Sequence, residues 1–176
     1  MIDSEKSLED YICNNQENFI NTLKQIYGED CDIKFVGRQI KIGVHNIADL
    51  MYFYDDVYIE NEITYKKRIY IIVELKYRKL EPKDLSQLQR YMNCLKLKLN
   101  SNDLFSKFGN EVYGTFVSFG ENEEMKEILI ADNINDISYI SICNNINYKV
   151  DYCSYNESYI NEIELDDKIK KLYEGE

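Results

Sequence analysis

An apolar stripe at near-helical spacing runs through the first part of the chain. Ser7 followed by Asp10 resembles a capping arrangement at a helix start, and Tyr27-Gly28 marks a natural helix end. The stripe consists of Leu8, Ile12, Phe19, Leu23 and Ile26. This spacing predicts one amphipathic helix over about residues 7–27.

The following segments have the character of strands. Residues 32–37, 38–44 and 47–54 are strand-like stretches, and Asp55-Asp56 follows as a turn signal. Residues 68–76 have a continuous apolar centre, which is typical of a strand buried on both faces of a sheet. The pattern therefore predicts consecutive β segments that end in the most apolar strand.

Helical periodicity returns at Pro82, which stands where the first turn of a helix tolerates proline, and continues to about Leu99. Beyond a loop over 100–110, the pattern predicts a strand at 112–119, a helix at about 122–132, a strand at 137–142 and a helix near 165–174. The order αβββαβαβ predicts an α/β fold with a mixed central sheet flanked by helices. We expect residues 1–176 to form a single domain, with a core over about 5–142 and an acidic extension over 143–176.

Composition excludes several classes of protein. With 176 residues, 7 Gly, 1 Pro and 44% hydrophobic residues, the chain suits one compact domain rather than collagen or low-complexity disorder. No apolar run reaches the roughly 18 residues of a transmembrane helix, and the N-terminus lacks a signal-peptide pattern. Five scattered cysteines form no C-x-x-C pair, and a single His leaves little material for zinc or Ser–His sites. We expect a cytoplasmic protein of a bacterial or phage-infected cell, with reduced thiols and no membrane partner.

The net charge of −11 argues against a nucleic-acid partner until its distribution is considered. Residues 1–37 carry a net charge of −5 and residues 99–176 carry −10, whereas residues 38–98 hold 12 basic and 8 acidic side chains. Within that block, residues 66–98 hold ten basic and three acidic side chains. A basic centre between acidic ends is compatible with a phosphate-bearing substrate.

The candidate chemistry lies at the end of the most apolar strand, in Glu74-Leu75-Lys76. Strand alternation puts Glu74 and Lys76 on one face, and ionisable groups that end an apolar run are costly without partners. Asp49 lies in an apolar run on the preceding β segment, so pairing of these strands would bring it next to Glu74. Two carboxylates beside a Lys form an oxygen site suited to Mg²⁺ or Mn²⁺. The alternative is an ion pair without catalysis, because three-residue motifs recur by chance.

Gln87 and Tyr91 follow on the next helix at i, i+4 and therefore share one face. With these residues the chain resembles the PD-(D/E)xK nuclease superfamily, especially its RecB-like and NucS-like branches, over about residues 5–142. The matching pieces are Leu8-Glu9-Asp10-Tyr11, Gly37-Arg38-Gln39, Ile47-Ala48-Asp49-Leu50, Ile71-Ile72-Val73-Glu74-Leu75-Lys76, Gln87-Leu88-Gln89-Arg90-Tyr91, Tyr113-Gly114-Thr115-Phe116-Val117 and Ile137-Ser138-Tyr139-Ile140. Ala48 stands where the family name has proline, a substitution that leaves the carboxylate in place. The resemblance implies the αβββαβ core of restriction endonucleases.

The resemblance also implies a ligand set for Mg²⁺ or Mn²⁺. Asp49, Glu74 and the Leu75 backbone carbonyl would bind the cation, and Glu9 would complete the site by holding a metal-bound water. Asp10 competes with Glu9 for this role, and either could instead be charge that favours the helix dipole. A carboxylate-bound cation supplies the Lewis acid and the activated water that phosphodiester hydrolysis needs.

Further roles follow from the same resemblance. Lys76 would orient or deprotonate the attacking water, or stabilise charge in the transition state. Gln87 and Tyr91 would position the catalytic residues and the DNA backbone. Apart from the resemblance, Arg38 and Gln39 could contact phosphate, with a solvated charge beside a turn as the alternative. Arg78 and Lys79 directly follow the active strand and are therefore weaker candidates for substrate contact.

These features predict a metal-dependent deoxyribonuclease that acts in defence, repair or phage DNA metabolism. RNA stays open as a substrate, because the core chemistry does not distinguish the sugar. A chain this small has no separate sequence-recognition domain, so we expect it either to form a homodimer or to recognise DNA structure, ends or single strands. The alternative is a catalytically silent, acidic binding module that docks on a protein or mimics DNA, which the acidic C-terminal part favours.

Overall fold

The computed structural model describes residues 2–60, 63–101, 109–120, 122–143 and 147–153. Its helices are α1 (Glu5–Asn14), α2 (Gln16–Tyr27), α3 (Pro82–Asn100) and α4 (Glu123–Ala131). Its strands are β1 (Lys34–Lys41), β2 (Ile47–Glu60), β3 (Ile63–Lys76), β4 (Gly109–Phe119), β5 (Ile137–Cys143) and β6 (Asn147–Tyr152). Within the described ranges, no helix has the length and apolar character needed to cross a membrane. The helix predicted near 165–174 lies outside these ranges.

The six strands form one mixed sheet in the order β1-β2-β3-β4-β5-β6. The β1–β2, β2–β3 and β5–β6 pairs are antiparallel, whereas β4 is parallel to both β3 and β5. The prediction of a mixed sheet flanked by helices is confirmed at this level. Strand β6 was not predicted, because it is an edge strand of mostly exposed or half-buried residues and has no apolar run.

The prediction of one helix over residues 7–27 is wrong, because the segment forms two helices. Asn15 has the non-helical angles φ −127° and ψ 43°, and its side-chain amide donates to the Tyr11 carbonyl oxygen at 2.8 Å. Asparagine competes for backbone hydrogen bonds in this way and favours helix ends. Helix α1 also begins earlier than predicted, with a capping box between Ser4 and Ser7.

The turn predicted at Asp55-Asp56 is also wrong. Strands β2 and β3 continue as a long hairpin, in which Asp55 lies opposite Arg68. The Arg68 guanidinium donates to both carboxylate oxygens of Asp55, at 2.5 and 2.9 Å. An opposite-charge cross-strand pair stabilises a strand whose sequence alone is typical of a turn.

Each face of the sheet is covered by its own helices. Helices α1 and α2 pack with Val73 and Leu75 on one face, and α3 and α4 pack with Ile72 and Phe116 on the other. A Cβ atom on Gly114 of β4 would lie 2.8 Å from Leu88 on α3, so glycine permits the close approach of α3. Because of this close packing, the first half of α3 lies next to the end of β3.

Candidate functional site

The site is centred on the end of β3, which lies between β2 and β4. Glu74 and Lys76 project from the same face, and their side chains are 3% and 9% exposed. The Lys76 ammonium group donates to Glu74 Oε1 at 2.8 Å. Two charged groups are therefore buried together where the apolar strand ends.

Asp49 enters the site from β2, as the pairing of β2 with β3 requires. Leu50 is the register partner of Val73, which places Asp49 beside the residue after Val73, namely Glu74. Asp49 Oδ2 accepts a hydrogen bond from the Leu75 backbone N–H at 2.8 Å. The structure thus joins the two carboxylates predicted from the sequence and fixes one of them by a main-chain contact.

The predicted pair on α3 also reaches the site. The Gln87 side-chain amide donates to Glu74 Oε1 at 2.9 Å and contacts the Tyr91 hydroxyl at 2.7 Å. Tyr91 is 6% exposed, so packing holds the pair in place. Lys76 and Gln87 together donate to one oxygen of Glu74, whereas Glu74 Oε2 is buried without a hydrogen-bond partner.

Glu9 and Asp10 on α1 have different surroundings, which the sequence did not distinguish. Glu9 is 8% exposed and accepts a hydrogen bond from the Gln39 side-chain amide. The same amide nitrogen lies 3.4 Å from Asp49 Oδ1, so Gln39 links Glu9 to the β2 carboxylate. Asp10 pairs with Arg38 at 2.6 Å, and the same Arg38 nitrogen lies 3.6 Å from Glu9 Oε1.

The negative charges of Asp49 and Glu74 are only partly balanced by Lys76. Burial raises the pKa of Glu74 to about 7, with a further contribution from the Asp49 charge, against the opposing effect of Lys76. Burial likewise raises the pKa of Asp49, although the Leu75 N–H acts in the opposite direction. Burial is the largest influence on Lys76 and lowers its pKa, but the neighbouring acids, Glu74 first, outweigh it and raise the pKa overall.

The carboxylates of Asp49 and Glu74 are suitable ligands for a cation. Glu74 Oε2 has no hydrogen bond, and burial makes both carboxyl groups harder to ionise than usual. A hard divalent cation takes such oxygen ligands. Across the described ranges, no cluster of three or more His, Cys, Asp or Glu side chains is arranged to hold a metal ion. The fit therefore rests on the Asp49–Glu74 pair, with Glu9 connected to it through Gln39.

The residues predicted to contact substrate differ in their surroundings, because some are held in ion pairs and one is exposed. Arg78 donates to both oxygens of Asp84 at 2.7 and 2.8 Å, and Asp84 also accepts from the Glu81 backbone N–H at the start of α3. Arg78 therefore holds the β3–α3 connection. Lys79, directly after it, is exposed. Arg38 is engaged by Asp10, as described above.

Sequence reasoning missed the contribution of Glu5. This residue lies in the first turn of α1, four residues before Glu9, and its charge raises the pKa values of both Asp49 and Glu74. The i, i+4 spacing of Glu5 and Glu9 was a usable signal. Because the helix was predicted to start at Ser7, Glu5 fell outside the predicted helix and its spacing to Glu9 was not considered.

Neither protein-family models, curated proteins nor solved structures provide a match to this chain. Its function is therefore inferred from the side chains at the end of β3 and from their chemistry.

Proposed function

We propose that the chain is a metal-dependent nuclease of the PD-(D/E)xK type that hydrolyses phosphodiester bonds in DNA, on a restriction-endonuclease-like core. The observation that carries this proposal is the meeting of Asp49, Glu74, Lys76 and Gln87 at the end of one buried strand. An ion pair that served stability alone would not need a second carboxylate beside Glu74, since that carboxylate makes Glu74 harder to ionise.

Asp49 and Glu74 would hold the Mg²⁺ or Mn²⁺, with the Leu75 carbonyl as a further ligand and Glu9 at the edge of the site. The cation would supply Lewis acidity at the phosphoryl group and activate the attacking water. The Leu75 N–H keeps Asp49 in one orientation. Gln87 and Lys76 hold Glu74 Oε1, so that its other oxygen stays available. The Lys76 ammonium would stabilise negative charge on the phosphate.

A second candidate, the acidic binding module, is favoured by the ion pairing of the basic side chains in residues 66–98. In the described part of the chain, at least seven of the ten basic side chains of residues 66–98 form ion pairs with carboxylates. Paired cations offer less attraction to phosphate than the sequence count suggests. Exposed Lys79 and the site itself would then make most of the phosphate contacts on the nuclease hypothesis.

The test is cleavage of single-stranded, double-stranded and flapped DNA, and of RNA, by the full chain with Mg²⁺ or Mn²⁺ and then with EDTA. We expect cation-dependent cutting of at least one DNA substrate, and a loss of roughly 10³-fold in Asp49→Asn, because a neutral amide binds the cation weakly. Asp56→Asn, seven residues further along β2, is the matched control and should cut normally. Absence of cation-dependent cutting on every substrate would favour the binding module.

A further inference from the structure

The side chain of Gln39 contacts carboxylates from two different elements. Its side-chain amide nitrogen donates to Glu9 Oε2 on α1 and lies 3.4 Å from Asp49 Oδ1 on β2. It thereby connects a helix on one face of the sheet to the carboxylate beside Glu74.

The backbone of Gln39 is held in an unfavourable conformation. Its φ is +51°, in the left-handed region that residues other than glycine seldom adopt. The residue lies within β1, between Arg38 and Ile40, which pair with Leu50 and Ala48 of β2. Such a conformation persists when the surrounding contacts compensate for it.

Packing does not provide that compensation, because Gln39 is exposed. The contacts that its side chain gains in this conformation are the hydrogen bonds to the two carboxylates, and hydrogen bonds to charged groups are stronger than neutral ones. The left-handed backbone of Gln39 therefore coincides with a side chain that bonds to two carboxylates.

We propose that Gln39 is the positioning residue of the cation site, which holds Glu9 next to Asp49 so that Glu9 can hold a water bound to the ion. This inference rests on the proposed metal-dependent function. Gln39 itself binds neither substrate nor cation; its amide orients two side chains that would otherwise repel each other. Outer-sphere partners of this kind typically change metal affinity by about 10- to 100-fold.

The experiment measures Mn²⁺ binding by isothermal titration calorimetry, without any substrate, on the full chain. The proteins are wild type, Gln39→Ala, Gln39→Gly and the control Val36→Ala, which changes an exposed side chain on the same strand. Gln39→Gly removes the amide and at the same time relieves the backbone strain, so it is expected to fold even if Gln39→Ala does not. Thermal unfolding in EDTA verifies that each protein is folded.

We expect both Gln39 variants to bind Mn²⁺ about 10- to 100-fold more weakly than wild type, and Val36→Ala to bind like wild type. Wild-type affinity in Gln39→Gly would overturn the positioning role while leaving the proposed function intact. Failure of wild type itself to bind Mn²⁺ or Mg²⁺ would instead overturn the proposed function, and the role of Gln39 with it.

Discussion

Two carboxylates on the same β2–β3 hairpin have opposite electrostatic character. Asp55 faces Arg68 across the strands, and hydrogen bonds from Arg68 lower its pKa to about 2, with help from Lys66. Glu74 lies at the other end of β3 and also has a basic neighbour, Lys76, yet burial raises its pKa to about 7. A nearby Lys or Arg therefore does not by itself decide the state of a carboxylate.

The difference lies in burial and in the second carboxylate. The side chain of Asp55 is 25% exposed and is shared by two cations, whereas Glu74 is 3% exposed and its charge is opposed by Asp49. The Asp55 end is a structural ion pair that lengthens the hairpin. The Glu74 end has ionisable groups whose burial costs stability, which is typical of functional sites.

The largest expected difference between substitutions at Glu74 and at Asp55 is in the rate of DNA cleavage. On the proposed function, Glu74→Gln should lower cation-dependent DNA cleavage by roughly 10³-fold, because the amide keeps the shape but loses the negative charge that would bind the cation. Asp55→Asn should leave the cleavage rate within about twofold, because Asp55 lies far along the hairpin from the site. Rates of both variants under excess substrate check this, and equal losses in the two would remove the distinction.

A smaller, opposite effect is expected on stability without metal. Because the folded-state pKa of Glu74 exceeds its ordinary value of 4.5, the folded protein binds more protons between about pH 4.5 and 7. Stability from this group therefore falls as pH rises through that window. Glu74→Gln removes the dependence, so its melting temperature in EDTA should exceed that of wild type at pH 8 by several degrees, and by much less at pH 5. A lower melting temperature at pH 8 would contradict this interpretation.

The smallest expected effect is at the Asp55 end. The pKa of Asp55 lies below its ordinary value of 3.8, so its stabilising contribution is present above about pH 4 and is lost as pH falls through about 2. Asp55→Asn should lower the free energy of unfolding by about 1 kcal/mol at pH 7, the range of a well-formed surface ion pair. Urea unfolding at pH 7 and pH 2 measures this. The loss should shrink to a small fraction at the lower pH, where Asp55 is about half protonated, and an undiminished loss there would point to packing.

Local patterns were sufficient for much of the fold. The strand 68–76, the helix that starts at Pro82 and the strands at 112–119 and 137–142 were predicted within a few residues, because each has a strong apolar periodicity or run. The errors occurred where local signals were weak or conflicting. Asn15 divides the first helix, and an ion pair turns Asp55 from a turn residue into a strand residue.

In the candidate site, too, some features could be predicted from local sequence and others could not. Glu74, Lys76 and Asp49 could be proposed from the sequence because charged residues interrupt apolar strands there, and that signal is local. That Glu9 rather than Asp10 bonds to Gln39 could not be predicted, because the two are neighbours in one helix turn and differ only in which way they face. Nor could the engagement of Arg78 by Asp84, which depends on how the chain turns into α3.

The sequence by itself determined which residues carry the candidate chemistry and which strands they lie on, since periodicity and charge are properties of neighbouring positions. Tertiary structure decided that Asp49 and Glu74 are adjacent, that Glu74 Oε2 is left without a partner and that Gln39 joins Glu9 to Asp49. These contacts depend on strand register and burial, which arise when distant segments pack together. The shifted pKa values follow from that packing, because the cost of a charge is set by its surroundings and not by its place in the chain.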